Sequence, residues 1–226
     1  MKKSEIEILI PTFNEAGNIE KVISDLIAEG FNNITILDAN SKDDTASIAK
    51  NLGCRVILDK KDMKGFGASV INALNNLNFD YFVIFDGDNS FNPNAIQKMM
   101  NEMMAGADFV FGSRYLNGNT SDDDTLITKF GNFFFTNLVR VLFSMNTSDV
   151  MFLYVLGKKK NIKKLNLKRK DFTICTEFLV KCYRNFKCKE ILSKERKRLY
   201  GSSKVNKFLD GLKVLINILS LYFQKK

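Results

Sequence analysis

Over the first 113 residues, short apolar runs alternate with amphipathic stretches. Glu7-Ile8-Leu9-Ile10 reads as a strand ended by Pro11. Between Gly17 and Glu29, the apolar positions Ile19, Val22, Ile23, Leu26 and Ile27 recur at helical spacing. Residues 34–37 predict a second strand, and residues 43–52 a helix with Asp43 or Ser41 at its N-cap. Residues 55–58 predict a third strand and 66–77 a helix. Tyr81-Phe82-Val83-Ile84-Phe85 is apolar throughout, as expected of a strand covered on both faces. Pro93 marks the first turn of a helix running to about Ala105, and Phe109-Val110-Phe111 adds a fifth strand. Strands alternating with helices of this length predict βαβ units, an α/β chain with a mostly parallel sheet. Such sheets bind ligands beyond the carboxyl ends of their strands. Four segments fall there: residues 11–15, 38–45, 86–90 and 112–115.

The rhythm then changes. Residues 130–143 include Phe133, Phe134, Phe135, Leu138, Val139, Val141, Leu142 and Phe143, interrupted by Arg140. Residues 205–223 carry Phe208, Leu209, Leu212, Leu215, Ile216, Leu219 and Phe223, with Lys207 and Lys213 among them. Both stretches predict amphipathic helices with a wide apolar face. The longest uncharged apolar run, residues 214–223, is too short to span a bilayer. Met1-Lys2-Lys3-Ser4-Glu5 leads straight into the first strand, so no signal peptide is expected.

Charge divides the chain in the same place. Residues 1–113 carry a net −6 and residues 114–226 a net +15. A basic half suits nucleic acid, anionic lipid or a phosphorylated substrate, and does not choose among them. The chain has no histidine, which removes Ser-His-Asp and Cys-His nucleophile pairs and His-ligated zinc. A general base must then be a carboxylate, Lys, Tyr or Cys. The four cysteines show no C-x-x-C spacing and read as reduced thiols, with Cys54 in a strand core.

Asp86-Gly87-Asp88 follows directly on the apolar fourth strand. Two carboxylates two residues apart, just past a buried strand end, can reach one hard cation through oxygen. Mg²⁺ and Mn²⁺ accept a few carboxylates and fill their other positions with water and phosphate oxygens.

The neighbouring segments make this pair specific. Pro11-Thr12-Phe13-Asn14-Glu15, Asp38-Ala39-Asn40-Ser41-Lys42-Asp43-Asp44-Thr45, Lys64-Gly65-Phe66-Gly67-Ala68, Asp86-Gly87-Asp88 and Gly112-Ser113-Arg114-Tyr115 resemble family 2 glycosyltransferases in order and spacing. The resemblance is greatest to the polyprenyl-phosphate sugar synthases, such as dolichyl-phosphate mannose synthase. It covers residues 6–116 and returns at Arg198-Leu199-Tyr200-Gly201-Ser202-Ser203-Lys204. It implies a Rossmann-like, GT-A type nucleotide-sugar fold with a mostly parallel central sheet and C-terminal amphipathic helices. On this basis residues 1–204 form the catalytic domain, and 205–226 an amphipathic helix that joins it or meets a membrane. The resemblance also implies an inverting, metal-dependent transfer using Mg²⁺ or Mn²⁺. Pro11, Phe13 and Glu15 match the segment that cradles the nucleoside, and Asp38 matches the carboxylate that reads the base. Lys64 and Gly65 match a segment near the nucleotide, and Asp86 and Asp88 the metal and diphosphate motif. Arg114, Arg198 and Lys204 match basic residues that hold phosphate at the acceptor side.

The acceptor is left open between a polyprenyl phosphate and a saccharide hydroxyl. A lipid phosphate is already ionised and needs positioning by Arg or Lys. A hydroxyl needs a base, for which Asp149 and Glu177 are the candidates. Two departures stand out: Ala39 replaces a frequent second acid or Gly, and residues 150–154 lack the Gly and Arg that often follow this acid. Residues 115–128, with Asp122-Asp123-Asp124, read as a polar loop able to order over bound donor. Rival readings are a nucleotidyltransferase, which would carry a Gly-rich loop after the first strand, and a basic nucleic-acid binder. The second lacks exposed aromatics beside its Lys158-Lys159-Lys160 and Lys168-Arg169-Lys170 runs, so no nucleic-acid partner is expected. The expected partners are a nucleoside-diphosphate sugar and a membrane surface, with the protein peripheral on the cytoplasmic face.

Overall fold

The computed structural model describes residues 1–59, 64–121, 124–197, 200–201 and 207–224. Seven strands form one sheet: β1 (Ile6–Thr12), β2 (Ile34–Asp38), β3 (Arg55–Leu58), β4 (Tyr81–Ile84), β5 (Phe109–Ser113), β6 (Val155–Lys158) and β7 (Cys188–Leu192). Their order is β3-β2-β1-β4-β6-β5-β7. All neighbours pair in parallel except β6, which runs antiparallel to both β4 and β5. The helices are α1 (Ala16–Ala28), α2 (Thr45–Asn51), α3 (Phe66–Asn75), α4 (Asn94–Met104), α5 (Leu126–Phe143), α6 (Lys159–Leu165), α7 (Ile174–Asn185) and α8 (Lys207–Phe223).

Alternation along the strands divides the core in two. On one face Ile8, Ile10, Ile36, Val83 and Val110 pack under α1, α2 and α4. On the other, Leu9, Leu37, Phe82, Phe109 and Phe111 pack under α3, α5, α7 and α8. The central strands are covered on both faces, which is why they read as unbroken apolar runs.

The expected βαβ rhythm is present with boundaries shifted by a few residues. Pro11 does not end β1. Ile8 and Thr12 bond toward β2 while Leu9 bonds toward β4, so Pro11 faces the β4 side. The β4 ladder has already stopped at Leu9↔Ile84, and the missing N–H costs no pair. Ser41 and Asp43 are not N-caps either, because α2 begins at Thr45 after Asp44. Cys54 lies just before β3 and is half-buried rather than in a strand core. Within residues 115–128, Leu116–Gly118 forms a short 3-10 turn and α5 begins at Leu126.

Candidate active site

The carboxyl ends of β1 and β2 are joined by side chains. Asn14, in the left-handed region at φ 55°, donates its backbone N–H to the Ser41 hydroxyl oxygen at 2.9 Å, and its side-chain Oδ1 accepts the Lys42 N–H at 2.8 Å. Glu15 N–H donates to Thr45 Oγ1, and Ala16 N–H to Asp43 Oδ2. Burial pushes the Asp43 carboxyl up, but hydrogen bonds from Thr45 and Ala16 outweigh it and leave it below the usual range. Asp43 therefore ties the start of α2 to that of α1. Asp38 ends β2 with 1 % of its surface exposed. Its Oδ1 accepts the Ser41 N–H at 2.6 Å, whereas Oδ2 is buried without a hydrogen-bond partner. An unmatched buried carboxylate oxygen is costly unless a ligand N–H reaches it. Phe13 is 42 % exposed, so it is not a core residue.

Beyond β4, Asp86 Oδ1 accepts the Gly87 N–H at 2.7 Å, and buried Asp88 Oδ1 accepts the Ser90 N–H at 2.9 Å. No cluster of three or more His, Cys, Asp or Glu able to hold a metal exists among the described residues. Asp86 and Asp88 are two carboxylates, so a hard divalent ion held there would need phosphate and water to complete its shell.

Lys64 and Gly65 are exposed ahead of α3. The glycines here serve packing. Gly65 has φ +105°, and a Cβ on it would lie 2.4 Å from the Lys170 carbonyl oxygen. A Cβ on Gly67 would lie 2.4 Å from that of Arg169. The Ala68 N–H donates to the Lys170 carbonyl at 2.9 Å, so the opening of α3 is seated on residues 169–171.

Arg114 follows β5 directly. Its Nε and Nη2 donate to the two oxygens of Asp149 at 2.7 and 3.0 Å, and Nη1 stands 3.5 Å from Glu195 Oε2. Burial works against the guanidinium charge, but the fields of Asp149 and Glu195 reverse this and hold the proton. Burial pushes the Cys175 thiol up, and the fields of Arg114, Asp149 and Asp86 all reach it. Glu177, 2 % exposed, accepts the N–H groups of Lys168 and Arg169 and the Lys181 ammonium. Its role here is to fix the 168–171 turn.

The chain after β7 crosses the carboxyl end of the sheet. Ser193 N–H donates to the Ser113 carbonyl and Arg196 N–H to that of Ser90. Tyr200 and Asn18 then exchange hydrogen bonds: Tyr200 N–H donates to Asn18 Oδ1, and Asn18 Nδ2 donates to the Tyr200 carbonyl. Asn18 Nδ2 also donates to Glu15. The segment that resembles R-x-Y-G-x-S-K thus reaches the start of α1, 182 residues away. Arg198 and Lys204 lie outside the described residues. Asn14, Asn18 and Glu195 are not singled out in the sequence, whereas Asp43 is, as a helix cap, though its bond to the Ala16 N–H is not.

The family described as Glycosyl transferase family 2 matches this chain over residues 7–173. The chain belongs to glycosyl transferase family 2. It is a glycosyltransferase. It is 26% identical to a UDP-N-acetylglucosamine–dolichyl-phosphate N-acetylglucosaminyltransferase of Methanococcus voltae over 243 aligned positions, covering 97% of each chain. It is 31% identical to a dolichol-phosphate mannosyltransferase of Pyrococcus furiosus over 120 positions, 50% of this chain and 34% of that one. Its fold is that of glucosyl-3-phosphoglycerate synthase from Mycobacterium tuberculosis, solved with Mn²⁺, UDP-glucose and phosphoglyceric acid. That match has TM-score 0.74 at 16% identity, over 98% of this chain and 80% of that one. The GT-A type architecture expected from the sequence is therefore present.

Proposed function

We propose that this glycosyltransferase moves a sugar, with inversion, from a nucleoside-diphosphate sugar to a polyprenyl phosphate at a membrane surface. The observation that carries the reading is the engagement of the two carboxylates a hydroxyl acceptor would need. A sugar hydroxyl must pass its proton to a base, and the chain has no histidine. Asp149 is locked in the fork of Arg114, and Glu177 holds a turn. A phosphate acceptor is ionised near neutral pH and needs only to be held in line. The M. voltae and P. furiosus relatives, by their names, both act on dolichyl phosphate, which supports the same acceptor here.

In this reading Pro11, Phe13 and Glu15 cradle the nucleoside, with Lys64 and Gly65 near the nucleotide. Asp38 Oδ2 accepts an N–H of the base. Asp86 and Asp88 would hold Mg²⁺ or Mn²⁺ with the diphosphate. Such an ion, when bound, stabilises the negative charge that grows on the departing diphosphate. Arg114, Arg198 and Lys204 orient the acceptor phosphate against the opposite face of the sugar.

The acceptor's chain requires lipid. No helix among the described residues is long and apolar enough to cross a membrane. Instead α5 buries Val139 and α8 buries Val214, Ile218 and Leu221, while Leu126, Ile127, Phe130, Phe208, Leu209 and Phe223 stay exposed. Apolar side chains presented on two neighbouring helices, with Lys129, Arg140 and Lys213 among them, fit an interfacial docking face. Release of nucleoside diphosphate that depends on farnesyl phosphate tests the reaction, and flotation with anionic liposomes at low salt tests the docking. No release with any donor in a nucleotide-sugar panel would refute the acceptor assignment.

A further inference from the structure

Arg114 is contacted on both its edges and its faces. Asp149 takes Nε and Nη2, Glu195 Oε2 faces Nη1, and the rings of Phe152 and Tyr115 lie 4.8 and 5.1 Å from the guanidinium carbon. Three of its five N–H donors thus face a carboxylate, and a phosphate drawn to this guanidinium comes up against the two acids that already hold it.

The two carboxylates are held differently. The Asp149 side chain is fully buried and chelates two nitrogens of the guanidinium. It also accepts the backbone N–H groups of Arg114 at 3.2 Å and Met151 at 3.3 Å. Glu195 lies in the irregular segment after β7, is partly exposed, and meets the guanidinium at one nitrogen, 3.5 Å away. A bidentate fork is stronger and more directional than one long contact. At the guanidinium itself, Glu195 is therefore the weaker of the two contacts. The same Oε2 also accepts the Ser121 hydroxyl, which fastens the loop 115–121 to the segment after β7.

We infer that Glu195 occupies the place of the acceptor's phosphate on Arg114 and is displaced when a phosphate monoester binds, releasing Ser121 with it. The inference rests on the acceptor-side reading of Arg114 given above and adds to it a residue that sets acceptor affinity. Glu195 is a competitor for the binding group and touches no reacting atom. It also favours exchange by an anion over simple entry of a neutral hydroxyl, because only a second negative group replaces the interaction that Arg114 loses.

The test titrates inorganic phosphate and farnesyl phosphate, separately, into the wild-type protein and Glu195→Gln. Glutamine keeps an oxygen for Ser121 and removes the charge on Arg114. Both probes should bind about fivefold more tightly to the variant, the size expected for loss of one partly exposed ion-pair competitor. Equal or weaker binding of inorganic phosphate would overturn the inference, and so would tightening confined to farnesyl phosphate, since the effect would then belong to the chain. The wild-type protein supplies a check that needs no variant. At saturating farnesyl phosphate the amides of residues 115–121 should exchange hydrogen faster, and unchanged or slower exchange would contradict displacement. UDP and GDP titrated with Mn²⁺ into the same samples separate the two levels. If neither protein binds a nucleotide, the transferase reading fails. If both bind it while phosphate affinity is unchanged, only the role of Glu195 fails.

Discussion

The proposed donor half and the proposed acceptor half of this molecule are built by different means. In the donor half each group sits within a few residues of its own strand: Asp38 on β2, and Asp86 and Asp88 just past β4. Strand direction places them at one end of the sheet, and local turns orient them, as when Ser41 and Ser90 donate their N–H groups to Asp38 and Asp88. In the acceptor half the groups meet only through tertiary structure. Arg114 finds Asp149 across 35 residues and Glu195 across 81. Substitutions in the first region should therefore alter chemistry and leave the fold, while substitutions in the second should alter both.

The largest effect is expected at Asp88. Asp88→Ala should lower turnover by about a hundredfold or more, the scale for removing one group that stabilises transition-state charge, with an unchanged circular dichroism spectrum. Near wild-type turnover at limiting Mn²⁺ would remove Asp88 from the metal pair. Asp149→Asn is the contrasting case. It breaks a buried fork and leaves Arg114 with the longer Glu195 contact, which should cost about 3 kcal/mol of stability in chemical denaturation. An unchanged denaturation midpoint would mean that the acceptor half does not depend on this pair.

The sequence foretold these two regions unequally, for the same physical reason. β1 to β5 were legible because strands covered on both faces are apolar at successive positions. β6 and β7 were not. β6 has four residues, one of them Gly157, whose missing side chain leaves room for the rings of Phe82 and Phe109. β7 is an edge strand in which Lys189 and Glu190 break the apolar run. α7 was also missed: its buried face includes the polar Thr176 and Glu177, which interrupt the apolar pattern. Asp38, Asp86 and Asp88 stand out in the sequence because position at or just past a strand end is a local property. Glu195 could not, since nothing near it in the chain points to Arg114. Asp149 and Glu177 were visible as acids, but their engagement by Arg114 and by the 168–169 amides emerges only in three dimensions.

Two smaller effects sharpen the contrast. Asp38→Ala should weaken nucleoside diphosphate binding about tenfold in calorimetry, with a lesser change in turnover at saturating donor, because a base contact far from the anomeric carbon contributes uniform binding. Unchanged affinity would reduce Asp38 to the cap of its own turn. Exchanging Phe130 and Phe208 for Ser, both well exposed, should lower the fraction floating with anionic liposomes a few-fold while donor affinity stays constant. Equal flotation would place the docking face elsewhere.

The central claim is that the acceptor arrives already ionised, so that Arg114 orients it and no carboxylate serves as base. Offering the enzyme farnesyl phosphate, farnesol and a methyl glycoside side by side, with one donor and Mn²⁺, tests this most directly. The account predicts a glycosylated farnesyl phosphate and no product from the two hydroxyl acceptors. Glycosylation of farnesol or the methyl glycoside, with farnesyl phosphate inert, would contradict it.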